Sequence, residues 1–152
     1  MKMNKIKTRT ALFAGSFDPF TIGHHALIKR ALPMFDKIII GIGINSEKKC
    51  MFTVEERVKV IEKIYADEER VEVKVYNCLT MDFAKEIGAD ILLRGVRSTK
   101  DFEYEREIAD MNLRLGGIET VLLISEPEHA STSSSIVREL ITYGKDVSAL
   151  LP

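Results

Sequence analysis

Tryptophan is absent from this 152-residue sequence, and only two cysteines and four prolines occur in it. Cys50 and Cys78 stand 28 positions apart, with no CxxC pair and no histidine at zinc-finger spacing. A disulfide framework and a structural zinc site are therefore not expected, and a reducing, cytoplasmic setting is. An excess of either charge is also missing, since 22 Lys and Arg stand against 23 Asp and Glu for a net charge of −1. Nucleic acid and acidic membrane surfaces select strongly basic proteins, so neither is an expected partner. No apolar run reaches membrane-spanning length. The basic segment Met1 to Thr10 leads only into Ala11 to Ala14, too short for a signal-peptide core. What is present is 45% hydrophobic residues, enough over this length to bury a core in one domain, 1–152, without covalent staples.

No internal repeat, low-complexity stretch or linker interrupts the chain. Five apolar runs of strand length recur: Thr10 to Ala14, Lys37 to Ile44, Val71 to Tyr76, Asp90 to Leu93 and Thr120 to Ser125. Between them lie segments of helical period. Val54, Val58, Ile61 and Tyr65 recur at intervals of four, three and four, and Tyr104, Ile108, Met111 and Leu115 repeat the spacing. Thr53 with Glu56 forms a capping box, while Gly88, Gly116 and Gly144 stand where helix C-terminal glycines belong. The strands are continuously apolar rather than alternating, as strands covered on both faces are. The expectation is an α/β fold: a single-domain, doubly wound, five-stranded parallel sheet.

In such sheets ligands bind beyond the carboxyl ends of the strands, which directs attention to the loops. The first runs Gly15-Ser16-Phe17-Asp18-Pro19-Phe20-Thr21-Ile22-Gly23-His24 into a helical segment, His25 to Leu32. Helix N-terminal amides favour anions, and an imidazole there can donate to a phosphate oxygen; the plainer reading is a turn followed by a polar cap. His24 and His25 are adjacent, so on a helix they diverge by about 100°, and a histidine-held metal is not expected. After the second strand, Asn45-Ser46-Glu47-Lys48-Lys49 offers a lysine that could reach an anion or simply be solvated. Arg94-Gly95-Val96-Arg97 after the fourth suits phosphate, or answers the nearby acidic residues. The irregular stretch Glu126 to Ser133 ends in Ser131-Thr132-Ser133-Ser134-Ser135, which opens the helix Ile136 to Tyr143 and makes a second anion cradle.

These motifs together, in this order, resemble those of the nucleotidyltransferase superfamily, with its TxGH and ISSSxxR-like signatures. Lys48-Lys49, Met51-Phe52-Thr53, Glu55-Glu56-Arg57 and Asp101-Phe102-Glu103-Tyr104-Glu105 extend the resemblance over nearly the whole chain to the phosphopantetheine adenylyltransferase family. The resemblance implies adenylyl transfer from ATP to 4′-phosphopantetheine, giving dephospho-coenzyme A and pyrophosphate, with Mg2+ held by the ATP phosphates and not by protein side chains. It implies catalytic roles for His24, Lys48 and Arg97. ATP would meet Ser16, Phe17, His24, Gly95, Val96, Arg97, Glu105, His129, Ala130, Ser131, Thr132, Ser133, Ser134 and Ser135. Phosphopantetheine would meet Ser16, Lys48, Leu79, Thr80 and Arg94, and Arg138 would buttress the last helix. A homohexamer and feedback by coenzyme A are further implications. Against the family pattern, Ser16 replaces a frequent threonine, Thr80 an apolar residue and Cys50 a proline. The alternatives are an adenylyltransferase for nicotinamide or nicotinate mononucleotide, a cytidylyltransferase, or a non-catalytic nucleotide-binding regulator. A flavodoxin-like carrier would need a different phosphate loop.

Overall fold

The protein is described by a computed structural model over residues 7–152. The start of the basic N-terminal segment, Met1 to Ile6, lies outside the described residues. Five strands, β1 (Thr10–Gly15), β2 (Lys37–Gly43), β3 (Val71–Tyr76), β4 (Ile91–Val96) and β5 (Glu119–Ile124), form one sheet. Its order is β3-β2-β1-β4-β5, and every pairing is parallel. The helices are α1 (Ile22–Ala31), α2 (Val54–Ile64), α3 (Thr80–Glu86), α4 (Thr99–Gly116) and α5 (Ser134–Thr142). Short 3-10 turns occupy Leu32–Met34, Pro127–His129 and Ser148–Leu150.

Strand residues point alternately to the two faces, and here both faces are covered. Ala11, Phe13, Ile38, Ile40, Ile42 and Leu93 pack with Leu27, Ile28 and Ala31 of α1 and with Ile61 of α2. The intervening Leu12, Ala14, Ile39 and Leu92 pack with Phe83 and Ala84 of α3. Each fully buried Leu or Ile contributes about 1.5–3 kcal/mol relative to an exposed one. No helix among the described residues is long and apolar enough to cross a membrane.

Several boundaries differ from expectation for identifiable reasons. β4 continues through Val96 because Arg94, Gly95 and Val96 pair with Leu122, Leu123 and Ile124 of β5, so the Arg-Gly-Val segment is strand rather than loop. α1 begins before His25 because Thr21 caps it, which brings His24 into the first turn. Ser133 caps α5, so that helix starts ahead of Ile136. The left-handed residue after α4 is Gly117, with φ 64°, while Gly116 ends the helix. Gly116 is required for a different reason, since a Cβ there would stand 2.9 Å from Met81 of α3.

The apolar stripe of α4 faces outward. Tyr104 and Leu115 are 63% and 65% exposed, and Ile108 and Met111 are exposed as well. The inward face is Glu105, Asn112 and Gly116, at the same helical spacing. Small and polar residues turn inward here because the helix lies close to α3 and because Glu105 pairs with Arg94 of β4.

Candidate active site at the reversal of strand order

β1 is the strand from which the chain winds first to β2 and β3 and later, in the opposite sense, to β4 and β5. Loops leaving β1 and β4 diverge there and leave a crevice. A cleft of about 420 Å³ occupies this position. It is lined by Gly15, Ser16, Phe17 and His24 from the first loop and α1, and by Lys48 from the loop after β2. Arg94, Gly95 and Arg97 come from β4 and its end, and His129, Thr132, Ser133, Ser134, Ser135 and Arg138 from the last loop and α5. The four loops singled out in the sequence therefore converge on one cavity.

Its floor is aromatic. Phe17 adopts φ 49°, and its ring folds back over Gly15, where a Cβ would meet it at 3.1 Å. That ring packs on Phe13, Phe20 and His24 with centroids 5.2, 5.5 and 5.1 Å away. His24 is oriented by the cap of its own helix: the Thr21 N–H donates to its Nδ1 at 2.9 Å, and the His24 N–H donates to the Thr21 hydroxyl. With Nδ1 accepting, the neutral ring carries its proton on Nε2. Burial, then the guanidinium groups of Arg94 and Arg97, push the His24 pKa down from 6.5 to about 4. The site thus holds a neutral imidazole that can donate from Nε2 but does not take up a proton near neutrality.

Cationic groups surround it. Lys48 Nζ lies 3.1 Å from Ser16 Oγ, and Arg97 Nε lies 3.3 Å from Asp101 Oδ2. Arg94 and Glu105, expected to serve different substrates, form a two-pronged pair with each other at 2.9 and 2.6 Å, and Arg94 also donates to the Ala14 carbonyl. At the other wall, Ser133 caps α5 by accepting from the Ile136 N–H, and the Ser134 hydroxyl donates to the Pro19 carbonyl at 2.8 Å. The amides of Ser134 and Ser135, the first two of the helix, have no intrahelical acceptor and suit an anion. Arg138 donates to the Asp18 carbonyl and to Ser135 Oγ.

Not every expected residue reaches this cavity. Leu79 is 64% exposed ahead of α3, and the Thr80 hydroxyl is hydrogen-bonded to that of Tyr76. Neither lines the cleft, nor do Val96, Ala130 and Ser131. Asp18, Thr21 and Arg57, to which the sequence alone assigns no individual role, are all buried around the β1–α1 loop. For Thr21 a signal existed, because a threonine three residues before His24 at a helix start is a cap spacing. At the rim, ligand atoms of Glu126, Glu128 and His129 lie within 4.8 Å of one another, and Arg30 stands 3.8 Å from Glu126.

A parallel sheet of this order, with a cationic cleft at its reversal point and a capped histidine inside it, fits an α/β protein that binds a phosphorylated ligand. Residues 12–140 match the family model described as cytidylyltransferase-like. A bifunctional NMN adenylyltransferase/ADP ribose pyrophosphatase from Francisella tularensis, solved with AMP and a manganese ion, superposes with a TM-score of 0.69 at 15% identity. That match covers 95% of this chain and 44% of that one, and at such identity it speaks for the fold. Sequence relatives narrow the class. The chain is 56% identical over 144 residues to the phosphopantetheine adenylyltransferase of Phocaeicola vulgatus, covering 95% of both chains. It is 49% identical to that of Porphyromonas gingivalis, covering 97% of this chain and 96% of the relative. The protein from Leuconostoc citreum with the same name is 48% identical over 90% of this chain and 86% of its own. The chain belongs to the phosphopantetheine adenylyltransferase family within the nucleotidyltransferase superfamily.

Proposed function

We propose that the protein, acting as a single domain, transfers the adenylyl group of ATP to 4′-phosphopantetheine, yielding dephospho-coenzyme A and pyrophosphate in coenzyme A biosynthesis. The single observation that supports this over its sister reactions is the 56% identity across 95% of both chains to a phosphopantetheine adenylyltransferase. The two Francisella tularensis structures, at 15% and 16% identity, speak for the fold alone.

In the reaction an oxygen of the acceptor phosphate attacks the α-phosphorus, a P–O bond forms, and the bond to the β-phosphate oxygen breaks. The attacking oxygen already carries negative charge, so no general base is needed. The protein's task is to position two anions and to stabilise charge on the transferring group. His24 donates from Nε2 to a non-bridging α-phosphate oxygen as charge builds. Lys48, beside Ser16, draws the acceptor phosphate toward the same point, and Arg97 neutralises the triphosphate. The amides of Ser134 and Ser135 hold the β- and γ-phosphates at the start of α5.

Mg2+ entering with ATP supplies charge neutralisation and orientation of the triphosphate. The carboxylates in the cleft suit a metal held by phosphates and water: Asp18 is occupied by backbone amides, Asp101 by Arg97 and Glu105 by Arg94. The outward apolar face of α4 supports self-association, and a hexamer is what the family resemblance implies. The two free cysteines fit a cytoplasmic setting. Coenzyme A, which contains the product's scaffold, would compete for the acceptor site.

The test is pyrophosphate release from ATP with phosphopantetheine, nicotinamide mononucleotide, nicotinate mononucleotide or no acceptor. Release only with phosphopantetheine, abolished by EDTA and restored by Mg2+, is expected. Release with a mononucleotide alone would move the protein to a sister reaction, and ATP binding without release from any acceptor would make it a regulator.

A further inference from the structure

Lys48 lies in the segment 44–53 between β2 and α2, which has turns and bends but no regular structure. A lysine on a flexible four-carbon stem needs a fixed backbone beneath it to hold its ammonium at one place. Segments without secondary structure open readily unless something else binds their amides. In this segment the N–H groups of Met51 and Phe52 both donate to one side chain, at 2.8 Å to Asp18 Oδ2 and 2.9 Å to Asp18 Oδ1. Asp18 belongs to the β1–α1 loop and is 2% exposed. Arg138 completes its surroundings, donating to the Asp18 carbonyl at 2.7 Å and standing 4.0 Å from Oδ2.

A second strut runs the opposite way. Arg57, buried on α2, donates from Nη1 to the Ser16 carbonyl at 2.7 Å and from Nε to the Phe52 and Thr53 carbonyls at 3.2 and 3.3 Å. One acceptor from the first loop and one donor from the second helix therefore bind the two loops face to face. Between the same two loops Lys48 Nζ lies 3.1 Å from Ser16 Oγ, and the Lys48 N–H donates to the Asn45 carbonyl.

We propose that Asp18 is a positioning residue for the transfer reaction: by holding the Met51 and Phe52 amides it sets Lys48 over the cleft, with Arg57 as the opposing strut. The proposal deepens the reading of the cleft as an adenylyl-transfer site and rests on it. Only a carboxylate meets the geometry, because two oxygens accept from two amides in a charge-assisted pair of bonds. An asparagine of nearly the same size has one acceptor, and its NH2 would face an N–H.

The decisive experiment compares Asp18→Asn in the wild-type and Lys48→Ala backgrounds. In the wild-type background kcat/KM for phosphopantetheine should fall roughly 10- to 100-fold, as a misplacement near 1 Å would cause, while the ATP dissociation constant stays within about threefold. In the Lys48→Ala background the same substitution should have little further effect, since its target is gone. Equal losses in both backgrounds, or no loss in the first, would overturn the proposal. Amide hydrogen exchange on the unmodified protein decides it independently of whether the variants fold. Met51 and Phe52 should exchange slowly although they lie outside secondary structure, and exchange as fast as that of Lys49 would refute the clamp. Wild-type turnover is measured alongside: its absence with phosphopantetheine would sink the functional reading, while the exchange pattern would still judge the clamp.

Discussion

The depressed pKa of His24 makes a quantitative statement about stability. The perturbation is acidification from pH 7.5 to 4.5, compared between the wild type and His24→Gln. In the unfolded chain the imidazole takes up a proton near pH 6.5, whereas in the native protein burial and the neighbouring Arg94 and Arg97 delay this to about 4. Between those values the unfolded state binds more protons than the native state, so stability falls as the pH falls. Above pH 6.5 the imidazole has no effect of this kind. The loss accumulates down to about pH 4, where the native ring also protonates. At about 1.4 kcal/mol for each tenfold difference in proton affinity, the full effect is on the order of 3 kcal/mol. Urea unfolding at the two pH values gives the assay, with the glutamine variant removing the titration. Carboxylates and His25, which is also shifted down by burial and by Lys29, contribute equally to both proteins and cancel in the difference. The wild type should lose on the order of 2 kcal/mol more than the variant over this interval. Equal losses, or an NMR titration of the His24 ring with a midpoint above 6, would refute the neutral-donor reasoning.

Replacing His24 by alanine should lower turnover by roughly 10²- to 10³-fold, the usual effect of losing one preorganised donor, while ATP binding measured by calorimetry persists. Turnover near the wild-type value would remove His24 from the reaction. Glu105→Gln leaves the Arg94 guanidinium without its counter-charge, and breaking such a pair costs about 3–5 kcal/mol when fully buried. Arg94 is 34% exposed and keeps its bond to Ala14, so the lower end of that range is expected in denaturant melts. Gly41→Ala in the centre of β2 would bring a Cβ to 2.9 Å from Leu12 and 3.2 Å from the stacked rings of Phe83 and Tyr76. Overpacking of this kind costs about 1–3 kcal/mol, and a thermal midpoint unchanged from the wild type would show that the core is looser than described.

The alternation of apolar strands and amphipathic helices was legible because period two and period 3.6 are local properties of a chain. All five strands were located within a few residues, and the parallel sheet followed from their continuous hydrophobicity. Errors fell where long-range partners override local pattern. Arg94 and Gly95 look like a loop in isolation, yet pairing with β5 makes them strand. The stripe from Tyr104 to Leu115 shows that α4 is a helix but not which way it faces, and Glu105 is the side chain turned inward, to Arg94 on β4. The Thr21 cap shifts the start of α1 and places His24 in its first turn.

For the site the division is similar. The glycine loop, the arginines after the apolar fourth strand and the serine run could each be recognised as suited to phosphate, because that suitability lies in residue type and local backbone. Their meeting in one cleft depends on the strand order β3-β2-β1-β4-β5, which no local pattern contains. The pKa of His24, lowered first by burial and then by Arg94 and Arg97, and the hydrogen bonds of Asp18 to two amides of a distant loop likewise depend on how the chain is assembled. Residue type and local order set the chemistry available at each loop and the kind of sheet that would present it. Tertiary structure alone decided which groups stand within hydrogen-bonding reach, because charge, burial and distance are properties of the assembled chain.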